Sequence, residues 1–434
     1  MTTYHALRNK PAKAPYKPGD ILVLFGELFS RGYANGLVEE AERLGMQVVT
    51  ATVGRREKDG GLRPLNEEEI ALNAKTGKIL INVPLEAGFD LESSDMGPAP
   101  VEMLKDLKLS NWMNAQINWE SLEASRLKGI KRFKQNVDEF MSQLSAIIKP
   151  GQNVVFAHLM AGGVPRTKIV MPLMNRVFKG RGDRFLASRD FWESPIGRFC
   201  ETNFKEVTAE TFRHLLELST PIKNKIEAEG GHVSYVAYGY HGTEVFLSGK
   251  YKWQTYTPYL QGWAKKNLEE ISREFSLKNY NCCVYNCPEI LTNSSSIFQG
   301  VEVCLYPLVK ALTVEAPEAQ RTKETLDQCQ KLLKEGHSLD EILDLTNIYS
   351  KEPVILEHCQ FEKWPQHSSS AQMELMLEFS EKLVDMHIDS KKLITSLLSE
   401  VVFDACGYVM LHESWKPMAP VSWINHDLVA RCLV

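Results

Sequence analysis

Three groups of residues in this 434-residue chain have the types and spacing to do chemistry. The first is Gly26, Gly32 and Gly36, spaced Gly-x5-Gly-x3-Gly through Glu27-Leu28-Phe29-Ser30-Arg31 and Tyr33-Ala34-Asn35. Glycines let a backbone come close to phosphates, and a helix starting there offers free N–H groups and a positive dipole end. The spacing is not the usual GxGxxG, and a plain structural turn would use the same residues. The second group is Arg55 and Arg56 after Gly54. Arginines at this place can take the 2′-phosphate of NADP(H) by paired hydrogen bonds, where an acidic residue would take the 2′-hydroxyl of NAD. A solvated loop end is the alternative, since Glu57 follows directly. The third group is Tyr256 with Lys265, in Tyr256-Thr257-Pro258-Tyr259-Leu260-Gln261-Gly262-Trp263-Ala264-Lys265-Lys266. An ammonium lowers a nearby phenol's pKa, and the phenol can then give a proton or hydrogen bond to a developing oxyanion. Tyrosine and lysine pairs also occur by chance.

These groups need elements to hold them. Asp20-Ile21-Leu22-Val23-Leu24-Phe25 is a nearly continuous apolar run, as in a strand buried on both faces. A helical pattern over Leu37–Leu44 stops at Gly45, and Gln47–Val53 reads as a second strand. Together they make a βαβ unit with the glycines in its turn and Arg55-Arg56 at its end. Val154–Ala157, His232–Tyr238 and Cys282–Tyr285 are further apolar runs, separated by helical patterns. Strands alternating with helices mean a parallel sheet covered on both faces. The expected fold class is α/β, a doubly wound parallel sheet of Rossmann type with additional C-terminal helices. Residues 1–19 read as a Pro/Lys-rich arm, 20–314 as the Rossmann-type domain, and 315–434 as a helical region packed on it without a new strand.

Composition narrows the classes. Apolar residues make up 44% and charged residues 24%, which suits a globular chain. The 50 Lys and Arg against 55 Asp and Glu give −5, which argues against a nucleic-acid backbone binder. No apolar stretch of membrane-spanning length is expected, and no signal peptide is read at the start. Nine scattered Cys suit a reducing cytoplasm. Cys282, Cys283 and Cys287 lack the paired spacing of a zinc site and read as structural thiols, so no metal is expected. His158 and His241 fall near the presumed cofactor edge, as proton relays or as structural histidines. Ser294 and Ser296 lack a Gly-x-Ser-x-Gly elbow. Ile297 and Phe298 read as core first, and as an acyl-pocket wall second.

In combination, these stretches resemble a known family. The glycine turn is similar to that of enoyl reductases in the short-chain dehydrogenase superfamily. Tyr256-x8-Lys265 resembles the Tyr-x8-Lys motif of the FabV-type trans-2-enoyl-ACP/CoA reductases. Val154–Ala161 with Pro165-Arg166, Tyr238-Gly239-Tyr240-His241-Gly242-Thr243-Glu244, and Leu291–Ile297 resemble further segments of that family in the same order. The Tyr240–Tyr256 interval is about six residues longer than the family's, a departure that touches substrate more than fold.

The resemblance implies an NAD(P)H-dependent reduction of an enoyl thioester C=C bond. Tyr256, helped by Tyr240, would stabilise and protonate the enolate, while Lys265 would hold the nicotinamide ribose. Gly26, Gly32, Gly36, Arg55, Arg56, Lys265 and Thr292 would meet the cofactor, with NADPH expected and NADH possible. Tyr259-x6-Lys266 is the rival pair, matching shorter enoyl reductases. The implied partner is an acyl thioester on CoA or ACP, with no nucleic acid and no fixed oligomeric state, in the cytoplasm. The alternatives are a carbonyl reductase of the short-chain dehydrogenase type and a silent nucleotide-binding protein.

Overall fold

The structure, a computed structural model, describes residues 4–57, 60–74, 78–256, 260–293 and 299–434. Among the described residues the strands are β1 (Ala6–Leu7), β2 (Ile21–Phe25), β3 (Gln47–Thr52), β4 (Arg55–Arg56), β5 (Leu62–Arg63), β6 (Ile79–Pro84), β7 (Val154–His158), β8 (Val233–Tyr238), β9 (Gly242–Leu247), β10 (Lys250–Thr255), β11 (Cys282–Asn286) and β12 (Val421–Ile424). Eight of them form one parallel sheet in the order β1-β12-β11-β8-β7-β2-β3-β6. Every residue of β2, β7 and β11 is buried. Such runs leave water only when helices cover both faces.

Alternation along the strands divides the core in two. Ile21, Val23 and Phe25 meet Phe133, Val137, Phe140 and Leu144 of α2 (Trp119–Ile147). Leu22 and Leu24 share the other core with Leu37, Val38 and Ala41 of α1 (Ala34–Arg43) and with Leu398, Val402 and Val409 of α4 (Ile394–Glu413). The helix α3 (Leu260–Ser276) packs Leu268, Ile271 and Phe275 on the α2 side. Leu333, Phe379 and Leu383 of the C-terminal region belong to the α1 side, with Leu326, Leu332 and Leu375 packed against it.

Three strands of the main sheet escape the sequence reading, β6 at the edge beside β3 and two at the opposite end. The N-terminal arm contributes β1, and β12 enters beyond residue 315, where no strand is expected. Val421 pairs with Val284 of β11, and Ala6 pairs with Trp423. Two and four residues are too few to show a period, and each strand is defined by a partner far away in sequence. A second correction concerns α4. It is long and apolar enough to cross a membrane by length and composition, yet it lies mostly buried as a core helix.

The sheet reverses its order of connection between β2 and β7. From β2 the chain moves outward to β3 and β6, and from β7 it moves the other way to β8 and β11. In open α/β sheets the crevice beyond the strand ends at such a reversal is where ligands bind.

Candidate active site

A cavity of about 280 Å³ occupies that crevice. Its wall is built from the segments that follow β2, β7, β8 and β11, with Lys265 reaching in from α3. Of the three glycines, Gly32 lines it, and a Cβ there would meet nothing within 4 Å. Tyr33, at the start of α1, makes no side-chain capping bond. Gly26 and Gly36 do different work. Gly26 has φ +128° and faces Leu159 and Met160 at contact distance. A Cβ on Gly36 would overlap the Phe403 carbonyl, and one on Gly407 would overlap the Gly36 backbone. Those two glycines let α1 and α4 touch backbone to backbone, so the phosphate contact expected at Gly36 gives way to helix packing.

Arg55 and Arg56 stand beyond β3, as the sequence suggests, but both are engaged. Arg55 donates to both Glu27 carboxylate oxygens at 3.1 Å and to the Gly54 carbonyl at 2.8 Å. Glu27 lines the cavity and also accepts from the Val53 N–H at 3.3 Å. Arg56 is largely buried and donates to Glu86 at 2.5 Å, to Glu92 at 2.9 Å and to the Gly60 carbonyl at 2.6 Å. Arg132 joins this network through Glu92 and the carbonyls of Glu86 and Gly88, each at 2.9 Å.

The opposite end of the cavity is chemically different. Tyr240 lines it and donates its phenol proton to Glu289 Oε2 at 2.9 Å. Burial pushes the Glu289 carboxyl up to about 7, against the Tyr240 bond that lowers it. Lys265 Nζ donates to the Tyr238 carbonyl at 2.6 Å, and burial brings its ammonium down to about 8. Thr292 is on the wall, and the adjacent Asn293 accepts from the Arg31 N–H at 3.0 Å, tying this loop to the glycine turn.

Tyr256 stands behind Tyr240, with ring centroids 5.6 Å apart. The β9–β10 hairpin brings the two together. Its turn residues Ser248 and Gly249 have φ 51° and 81°, the pair of positive values that a tight hairpin turn requires. Gly242 therefore pairs with Thr255 across the ladder. This hairpin is the extra length between the two tyrosines. The Tyr256 hydroxyl is 2.5 Å from Thr243 Oγ1 and accepts from the Glu289 N–H at 3.0 Å. The described geometry thus presents Tyr240 to the cavity and holds Tyr256 one layer back. Tyr259 of the rival pair lies outside the described residues, as do Ser294, Ser296, Ile297 and Phe298.

His158 and His241 part company. The Thr211 hydroxyl gives its proton to the Val207 carbonyl at 2.7 Å, so it accepts at 2.8 Å from His158 Nε2. That fixes the tautomer and leaves Nδ1 a buried acceptor without a protein donor among the described residues, on a side chain that lines the cavity. Burial, and then the charge of Lys265, hold His158 well below the usual histidine range. His241 instead stacks between Phe361 and Trp364, with centroids at 4.3 and 4.2 Å, as a structural residue. Cys282, Cys283 and Cys287 are buried free thiols. Sequence reasoning missed Glu27, Tyr33 and Glu289. A signal for Glu289 existed, a lone carboxylate two residues beyond Cys287, at the end of a mostly apolar run.

The arrangement fits a dinucleotide. Gly32 leaves open space beside the start of α1, Lys265 carries donors, and the orphan His158 Nδ1 awaits one. A family model described as enoyl-acyl carrier protein reductase FabMG matches residues 3–433. The chain belongs to the FabMG family. Its structure is similar to an apo structure of FabMG, described as a novel type of enoyl-acyl carrier protein reductase, at 43% identity and TM-score 0.96 over 100% of this chain and 98% of that one. It is also similar to an NADH-bound FabMG structure at 38% identity and TM-score 0.80, covering 100% and 99%. Comparison with curated proteins gives no match. As a FabMG-family enoyl reductase the chain is an oxidoreductase that reduces an enoyl C=C bond with a nicotinamide cofactor. The enoyl-reductase resemblance holds at that level, and the family matched is FabMG where the motifs suggested the FabV type.

Proposed function

We propose an NADH-dependent enoyl-ACP reductase in which Tyr240 is the phenol that meets the substrate oxygen. The observation that carries this reading is the convergence of Tyr240, Lys265 and Glu289 on one cavity at the sheet's reversal point. When bound, the reduced nicotinamide supplies the hydride. Gly32, the start of α1, His158, Lys265 and Thr292 would hold the cofactor. Charge that develops on the thioester oxygen then needs a donor already in place, since a pre-positioned hydrogen bond costs no reorganisation at the moment of reaction. Tyr240 provides that donor. Lys265, buried and cationic at neutral pH, stabilises negative charge beside it. Tyr256 positions the Glu289 backbone and the Tyr240 ring. The short-chain dehydrogenase kinship and a cytoplasmic setting go with this reading.

Two features support the finer choices. A 2′-phosphate would meet the Glu27 carboxylate and find Arg55 and Arg56 already paired, which favours NADH, the cofactor named for the 38% identical structure. Arg176, Lys179, Arg181 and Arg184, with Asp183 among them and Glu381 paired to Arg181 at 2.7 Å, form a basic stretch on and after the helix whose Met174 lines the cavity. That suits an acidic carrier protein over CoA alone. The test is loss of reduced-nicotinamide absorbance with an enoyl-ACP and with crotonyl-CoA, each with NADH and NADPH. Higher kcat/KM for NADH and enoyl-ACP is expected. Turnover of ketones but of no enoyl thioester would replace this reading with the carbonyl reductase.

A further inference from the structure

Reduction of a C=C bond takes one proton from solvent in each turnover, besides the hydride. The phenol that supplies it must be refilled. Tyr240 is already hydrogen-bonded, and its partner is a carboxyl group on the cavity wall. The Glu289 carboxyl is also approached by the Ile290 N–H. The titratable groups facing it are Tyr33 from the start of α1, Tyr240 after β8, Tyr256 after β10, and Glu302 and Cys304 from the helix Val301–Leu305. None of these is a cation. A carboxyl enclosed by phenols, a thiol and another carboxyl keeps its proton more readily than one facing an arginine.

Resting on the reading of Tyr240 as the phenol at the substrate oxygen, we infer that Glu289 is the proton source behind Tyr240, passing a proton through the phenol to the reduced substrate. In the step, the Tyr240 O–H bond breaks as its proton goes to the enolate oxygen. The Glu289 O–H bond breaks as its proton goes to the Tyr240 oxygen. Glu289 is left as a carboxylate and regains a proton from water, and ketonisation of the enol places the substrate's new hydrogen on the α-carbon. One proton leaves solvent and one enters product. In the carboxylate form Tyr240 donates to Glu289, the arrangement seen here, and its proton points away from the substrate oxygen. In the acid form Glu289 donates to Tyr240 and frees the phenol proton to turn toward the substrate. Burial that places this carboxyl at about 7 makes the two forms interchange near neutral pH.

The test has two arms. Glu289→Gln keeps a group that can hydrogen-bond to Tyr240 but cannot release a proton. The kcat of the unsubstituted enzyme with saturating NADH should fall as pH rises through about 7, with Lys265 adding a second inflection near 8. Glu289→Gln should lower kcat by about tenfold or more at pH 6, on the modest side of typical proton-transfer contributions. It should also abolish the inflection near 7 and leave KM for NADH within about twofold. An unchanged kcat and pH profile in the variant overturns the inference, while failure of the unsubstituted enzyme to reduce any enoyl thioester overturns the proposed function instead. The second arm needs no turnover and no Glu289 variant. Infrared titration of protein carrying 13C-carboxyl glutamate should show a protonated carboxyl disappearing near pH 7. In Tyr240→Phe that titration should move upward, because the lost hydrogen bond favoured the charged form. Absence of any carboxyl titrating above pH 6, or one indifferent to Tyr240→Phe, also overturns it.

Discussion

The two ends of the cavity bury ionisable groups in opposite ways. At the β3 end, Glu27 pairs with Arg55, and Arg56, Glu86, Glu92 and Arg132 form a network behind it, so that every charge meets its opposite. At the β8 end, Lys265 and Glu289 are held among carbonyls, phenols and thiols, and no ion pair joins either among the described residues. The first arrangement fixes shape, since a paired charge has nothing to gain by gaining or losing a proton. The second leaves both groups within about a unit of neutrality, where a proton moves at little cost. The same chemical types thus hold a wall at one end and titrate at the other, and counter-charge makes the difference.

Lys265→Met should have the largest effect on function. It removes the cavity's ammonium and its cofactor contact together, so kcat/KM should fall by about 10⁴, the upper range for a proton-transfer group. Stability should move the other way. The folded lysine sits at about 8, below its ordinary range, because burial penalises its charge. At pH 7 the folded protein carries that charge at a cost which methionine does not, and the cost fades only as pH rises through 8 toward the unfolded lysine's range. A melting temperature at or above that of the unsubstituted protein is expected, and a collapsed fold would break the comparison.

Arg132→Met is the counterpart at the paired end. Glu92 would lose one of its two arginines and keep Arg56 at 2.9 Å, so the loss should stay below the about 3–5 kcal/mol of a buried carboxylate left without any partner. Denaturant unfolding should show that loss, with kcat per folded molecule little changed. A stable but inactive Arg132→Met would mean that the network belongs to the chemistry after all.

Tyr240→Phe against Tyr256→Phe separates the front phenol from the one behind it. Loss of an oxyanion donor costs roughly 2.7–4 kcal/mol, or about 10² to 10³ in kcat. Tyr240→Phe should show that drop and Tyr256→Phe less than about tenfold, since the Tyr256 hydroxyl is occupied by Thr243 and the Glu289 N–H. The reverse order would restore the Tyr-x8-Lys spacing as the working pair.

The sheet was legible in the sequence because apolar runs such as Ile21–Phe25 and Val154–His158 announce strands buried on both faces. The crevice followed from the glycine turn and strand alternation. Gly32 was legible as a wall residue from the glycine turn, and Lys265, Tyr240 and Thr292 through the resemblance to enoyl reductases. Which tyrosine faces the cavity was not, because the β9–β10 hairpin decides it by a register that spacing does not reveal. Gly36 misled because a glycine needed for phosphate and one needed for a helix crossing look alike in one dimension. Glu289 was missed because its importance lies in what surrounds it: Ile290 follows it in the chain, while Tyr240, Tyr256 and Glu302 arrive from elsewhere.

The smallest expected effect tests the paired end's bearing on cofactor choice. Arg55 is spent on Glu27, and Glu27 faces the cavity beside the end of β3. Glu27→Gln removes the negative charge that a 2′-phosphate would meet and releases the Arg55 N–H groups from that carboxylate, leaving Glu69 at 3.9 Å. One charge-assisted hydrogen bond is worth about 1.5–3 kcal/mol, so kcat/KM for NADPH relative to NADH should rise by roughly tenfold or more. Arg55→Ala should not do this, because it leaves the carboxylate and removes the cation. Stability should change little in either variant, since Arg55 is 38% exposed and such pairs contribute about 0–1 kcal/mol. If Glu27→Gln leaves the NADH to NADPH ratio untouched, the paired end sets shape alone, and cofactor choice must reside elsewhere along the cavity.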